Sequence, residues 1–221
     1  MNLFLLSTKA CEAGVMHCDK HVVKMLLECL QILYTALSLR GCAVTAPLVL
    51  PSGETRAPYK PTHARHPCVL WAAGCQTHFA WVVRLARALS AEYTRRYGKQ
   101  HLCSYHLEHV QEHLRTHGFP PAMPLTVTPA DWLQWVSTRV SAKAASHPRV
   151  ATVNPPEGTA FGVLAITDNT SDPVRTASGE LDAVASYRRF YAWKAEHRVK
   201  MRWCRAADAP ATLAPMFVNA M

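Results

Sequence analysis

The segment Met16–Thr35 carries polar residues in a single register: His17, His21, Lys24, Glu28 and Gln31. At about 100° per residue, with His17 at zero, the other four fall near about +40°, −20°, +20° and −40°. Thr35 returns to zero. From Val22 to Leu33 nearly everything else is apolar. A helix apolar over most of its circumference is a buried helix. Its narrow polar stripe must meet water, a ligand or other polar groups, because unpaired buried charge is very costly. The stripe reads either as the solvent edge of a wide apolar face, or as the lining of a cleft. The mix of two imidazoles, an amine and a carboxylate in register favours the cleft. There a Lys24 stripped of water releases its proton more easily and can attack a sugar C1′ or a carbonyl. Glu28, one turn on, can exchange protons with the substrate.

A second group lies in Tyr59-Lys-Pro-Thr-His-Ala-Arg-His-Pro-Cys. His63 and His66 sit in a segment stiffened by proline, where they can bind phosphate, act as acid, or simply be exposed. His17 and His21 are also four apart, so with His63 and His66 they could hold one metal ion beside Glu28, the alternative to a metal-free site. His106, His109, His113 and His117 share one helical face, without the H-E-x-x-H signature of a zinc site, and read as an exposed His-rich surface. The chain has eight Cys and no C-x-x-C pair. The matched spacings Cys11–Cys18 and Cys68–Cys75 fit no standard zinc finger. Without a basic n-region at the start there is no secretory signal, so reduced core thiols and a cytoplasmic location are expected. No stretch is read as a membrane span.

Lys and Arg number 24 against 15 Asp and Glu, a net +9, which favours a polyanionic partner and DNA above others. The surplus is concentrated at Arg84–Lys99 and Arg188–Arg205. Arg96, Arg188, Lys194, Arg198 and Arg202 are the candidate phosphate contacts, with Trp193 or Trp203 able to stack on an unpaired base. Glu92 and Arg96, four apart, are expected to pair at the surface.

The elements that must position these groups are mostly helices. The pattern predicts a short apolar strand or arm over residues 2–7, then helices over about 16–39, 68–97, 101–117 and 180–198. Pro47, Pro51, Pro58 and Pro61 make the stretch 41–62 a long loop. Residues 118–179 are rich in proline and read as an irregular insertion, with one short helix begun by Thr128 and Pro129 and bearing Trp132 and Trp135. Phe161–Ile166 is a possible strand. The sum is a mostly α chain, one helical domain over residues 1–221.

Several blocks taken together look familiar: Met16-His-Cys-Asp-Lys-His-Val-Val-Lys-Met with Glu28 and Gln31, Tyr59-Lys-Pro-Thr-His with His66-Pro67 and Trp71, Glu92-Tyr93 with Arg96-Tyr97-Gly98-Lys99, and Tyr187-Arg-Arg-Phe-Tyr with Lys194. They resemble a family of small tailed-phage proteins, over about residues 1–101 and the last helix. That resemblance implies a protein made in the host cell. The order of arm, first helix with Glu28 and His-Pro turn is similar, more distantly, to the pyrimidine-dimer DNA glycosylases. Those are small basic helical enzymes that use the N-terminal amine as nucleophile and a glutamate on the first long helix. The likeness implies an enzyme acting on DNA pyrimidine bases, as a glycosylase/lyase or a base-modifying transferase, with Lys24, Glu28, His17, His21, His63 and His66 as its reactive groups. A metal-dependent enzyme on a small molecule and a non-enzymatic phage binding or inhibitor protein are the alternatives.

Overall fold

The computed structural model describes residues 2–120, 174, 176–179, 182–197 and 200–204. The short helix expected after Thr128, the strand at Phe161–Ile166, most of the proposed insertion, and Arg198 lie outside them. Among the described residues the protein is mostly α, with six helices and one two-stranded hairpin.

The frame is a long central helix, α2 (Asp19–Leu39), preceded by the short α1 (Ala10–Met16). Val22, Met25, Leu26, Cys29, Leu30, Ile32, Leu33, Tyr34, Ala36 and Leu37 are all buried on α2, so apolar side chains cover nearly its whole girth. By length and mean hydropathy α2 could cross a membrane, which the sequence reading overlooked, but most of it is enclosed by the other helices. It ends in a Schellman motif: Gly41 takes φ +72°, Cys42 N–H bonds Leu37 O at 2.9 Å, and Gly41 N–H bonds Ser38 O at 3.1 Å.

Packed against α2 are α3 (Pro67–Gly74), α4 (Gln76–Tyr97) and α5 (Leu102–His117), while α1 lies along α4. Two of these helices start with the same device. His66 Nδ1 accepts from Cys68 N at 3.2 Å, and His101 Nδ1 accepts from Cys103 N at 3.0 Å. Each imidazole thus fills the N-cap role usually given to Ser, Thr, Asp or Asn. Gly98, at φ +63°, closes α4. Between α2 and α3, β1 (Leu48–Val49) and β2 (Thr55–Arg56) pair antiparallel, Leu48 opposite Arg56, a small hairpin inside the expected loop.

The last described helix, α6 (Ala183–His197), returns to the start of the chain. Leu3, Phe4, Leu5 and Leu6 are at most 3% exposed. They form no strand. They are an extended arm buried as part of the core, against Tyr187, Phe190 and Tyr191 of α6.

The helix expected over 16–39 is α2, beginning at Asp19; α1, which was not expected, precedes it across a break at His17–Cys18, and the helix expected over 68–97 is broken at Cys75. The face of α5 read as exposed is also different. His106 is buried with its ring 4.2 Å from that of Tyr59 and Nδ1 3.1 Å from Tyr34 Oη, and His109 Nε2 bonds Ala46 O at 2.8 Å. Imidazole is small and half apolar, so when neutral it can serve as a core residue.

Candidate functional site

Glu28 stands at the centre of the polar stripe and is only 8% exposed. Its Oε2 accepts the main-chain N–H of Asn2 at 2.6 Å, and its Oε1 lies 3.5 Å from Lys24 Nζ. Asn2 is fixed from its other end too. Its Oδ1 accepts from Leu3 N at 2.8 Å, from Tyr187 Oη at 3.2 Å and from Cys68 Sγ at 3.6 Å. Four parts of the chain therefore meet at residue 2: the arm, α2, α3 and α6. Chain ends ordinarily fray unless tied down. This one is tied at both its main chain and its side chain, and the tie ends on a carboxylate.

Burial, with Glu28 among the lesser causes, pushes the Cys68 thiol up to about 12, so Cys68 stays protonated and donates. Farther along the stripe, Thr35 Oγ1 donates to Gln31 O at 2.6 Å, and Thr62 N–H donates back to Thr35 Oγ1 at 3.1 Å. These bonds, with Tyr59 stacked on His106, lay the 59–66 loop along α2. The turn at its end is tight: His63 adopts φ +50°, and its carbonyl accepts from His66 N at 2.8 Å. His63 is exposed and His66 half-buried. Burial first, and then the positive charge of the chain's amino end, lower the His66 pKa to about 4. His66 is therefore neutral and caps α3 through Nδ1.

His17 and His21 do not join this group. His17 lies between α1 and α2, off the helix on which the wheel placed it. It is fully buried, with Nδ1 2.6 Å from Ala13 O, and burial lowers its pKa to about 4. Its Nε2 has no hydrogen-bond partner among the described residues. His21 is on α2 but closed off by α6: Nδ1 is 2.7 Å from Tyr191 Oη, and the ring stacks 5.0 Å from Phe4. Burial above all, then His17, Lys194, Lys24 and Lys20, drop its pKa to about 3. Both rings belong to the core. No three His, Cys, Asp or Glu among the described residues are grouped to hold a metal ion, so His17, His21, His63 and His66 do not make the single centre considered from sequence. Lys24 also differs from expectation: its side chain is 68% exposed and keeps its water.

The basic residues divide sharply. Arg96 is a structural ion with no exposed side chain. It bonds Asp19 Oδ1, Glu92 Oε2, His17 O and Val15 O, all within 2.9 Å. It is closed to phosphate, and its pairing with Glu92 is buried rather than superficial. Arg188 gives its Nε to Leu6 O at 2.7 Å, and Lys194 Nζ sits over the rings of Phe4 and Phe190 at 5.4 and 5.3 Å. Trp193 lies between Phe190 and His197, which occupy its faces, and Trp203 Nε1 bonds Met16 O through the edge of the indole. Lys20, Lys24, Lys60, Arg65, Arg189, Lys200 and Arg202 remain exposed.

Reading the sequence missed Asn2 and Cys68 as parts of the site, and the bond that joins Thr35 of the stripe to Thr62. Only Tyr187 carried a signal, being in register with Tyr191 and Lys194. No family model, curated protein or solved structure matches the chain.

Proposed function

We propose that the protein processes DNA at pyrimidine bases, as a glycosylase/lyase built around Glu28. The observation that carries this reading is the carboxylate held between an amide nitrogen at the start of the chain, at 2.6 Å, and the Lys24 amine, at 3.5 Å. The exposed lysines and the net +9 support a DNA partner, and the architectural likeness to the glycosylases supports the reaction class.

In this reading Lys24 is the nucleophile. Its exposure lets it reach substrate, and a strand laid over this face strips its water. Nζ attacks the deoxyribose C1′, the bond from C1′ to the base nitrogen breaks, and the base leaves with a proton. The sugar ring then opens: the C1′–O4′ bond breaks, O4′ takes a proton, and the nitrogen loses its own, giving an imine to C1′. Glu28, in contact with the amine, carries these protons. A second form uses residue 2, whose nitrogen is the closer of the two: a chain trimmed to begin there presents an amine directly on Glu28.

Incubation with duplexes carrying cyclobutane dimers or other altered pyrimidines, then borohydride, tests this. A trapped covalent adduct is expected, and peptide mapping places the DNA on Lys24 or on residue 2. Absence of any adduct across such substrates removes the lyase form. A base-modifying transferase is then the surviving DNA reading, scored by mass change of the DNA.

A further inference from the structure

Cys42 and Cys75 are the half-buried cysteines, and Cys42 is the one whose sulfur lies against an imidazole. Cys18, Cys29, Cys68 and Cys103 are buried, and burial raises each thiol. Cys11 and Cys204 are exposed. Cys204 Sγ faces the Asp19 carboxylate at 3.5 Å, which opposes a thiolate. Cys42 is half-buried and has its Sγ 3.2 Å from His113 Nε2 on α5.

The pair is held from both sides. Cys42 is the second residue past the α2 C-cap, and its N–H closes the Schellman bond to Leu37 O, so its backbone is fixed. His113 stands on α5, and its ring is covered on one face by His117, with centroids 4.3 Å apart. His109, one turn earlier, anchors the same loop through Ala46 O. A thiol within reach of an imidazole whose position is set by its own helix is the arrangement that activates a sulfur nucleophile.

We propose that Cys42 and His113 form a reactive thiol–imidazole pair, a site of covalent modification by small uncharged electrophiles, separate from the Glu28 site. With an alkyl halide amide, sulfur bonds to the methylene carbon, the carbon–iodine bond breaks, iodide leaves, and the thiol proton passes to His113 Nε2. Burial and the neighbouring His117 lower the His113 pKa, which keeps the ring neutral and able to take that proton.

The test is alkylation of the folded protein with limiting iodoacetamide at neutral pH, read cysteine by cysteine by peptide mass spectrometry. Cys42 is expected to react at least about fivefold faster than Cys11 and Cys204, although both are more exposed. His113→Asn should bring Cys42 to or below the rate of Cys11, with the rates of Cys11 and Cys204 unchanged as a control for folding. The pair is overturned if Cys11 or Cys204 outruns Cys42 in the unaltered protein. It is equally overturned if His113→Asn leaves the Cys42 rate unchanged, because the ring then takes no part in activating the thiol. Should His113→Asn fail to fold, the comparison among cysteines in the unaltered protein decides.

Discussion

Glu28 and Arg96 show how alike two charged residues can look in a sequence and how unlike their work can be. Both are on long helices, four residues from an opposite charge, and both are nearly buried. Glu28 meets a main-chain nitrogen, an exposed amine and the open face of α2. Arg96 meets two carboxylates and two carbonyls and nothing outside. Glu28→Gln keeps the shape and an acceptor for Asn2 N–H, so folding stability should fall by about 1 kcal/mol. DNA cleavage should drop by about 10²- to 10⁴-fold, the usual worth of a proton-transferring group. Equal cleavage by the variant would exclude Glu28 from the reaction. Arg96→Ala leaves Asp19 and the carbonyls of Val15 and His17 without their buried cation, while Glu92 keeps its pair with Arg95. It should cost about 3–5 kcal/mol in urea unfolding. A loss under about 1 kcal/mol would mean that the network is far more solvated than its geometry implies.

The helices were largely legible, and so were the ends that close on glycine. The long apolar runs of α2 and α4 and the stops at Gly41, Gly98 and Gly118 could be read directly, because a left-handed closing residue leaves its mark as glycine. The break at His17–Cys18 left no such mark. Cys18 caps α2 without any side-chain bond. The kink is held from far along the chain instead: Cys18 N–H by Tyr191 Oη, Asp19 N–H by Arg202 O, and the carbonyls of Val15 and His17 by Arg96. A wheel drawn through His17 therefore joined a residue of the core to a stripe that in fact begins at Lys24. The half of the site on α2, Lys24 and Glu28 one turn apart, was legible from local spacing. The half contributed by Asn2, Cys68 and Tyr187 depends on tertiary contacts that no spacing records. The tight seat of α1 on α4 is of this kind. A Cβ at Gly14 would lie 2.5 Å from Ala88 Cβ, closer than real Cβ atoms come, and 3.2 Å from the Ala88 carbonyl carbon, tighter than most real contacts. Gly14→Ala should destabilise by about 1–3 kcal/mol through overpacking, seen as a lower thermal midpoint. Adding Ala88→Gly removes the nearer clash and should restore part of the loss. An unshifted midpoint in the single variant would show that the two helices can move apart freely.

For the molecule as a whole, acid is the natural stress. His17, His21 and His106 are all buried, and burial lowers their pKa values to about 4, 3 and 4. An unfolded histidine titrates near about 6.5, so below that pH the unfolded chain binds protons that the folded one refuses. Stability is thus complete above about pH 6.5 and is lost as the pH falls toward 4. Each such histidine contributes about 1.4 kcal/mol per pH unit inside that window. Urea unfolding midpoints should fall steeply between pH 6.5 and 4.5, and His106→Gln should make the fall shallower. A flat profile would mean that these rings are protonated in the native state.

The buried arm has a consequence for how the chain is made. The arm leaves the ribosome well before Ala183–His197, the helix whose rings enclose Phe4. Until that helix is made, this part of the core stays open, and its closure waits on a contact between segments far apart in sequence. Such late, long-range closure slows folding and exposes sticky surface meanwhile. Products truncated before α6 would lack Tyr187, one of the groups that hold Asn2 beside the Glu28 carboxylate.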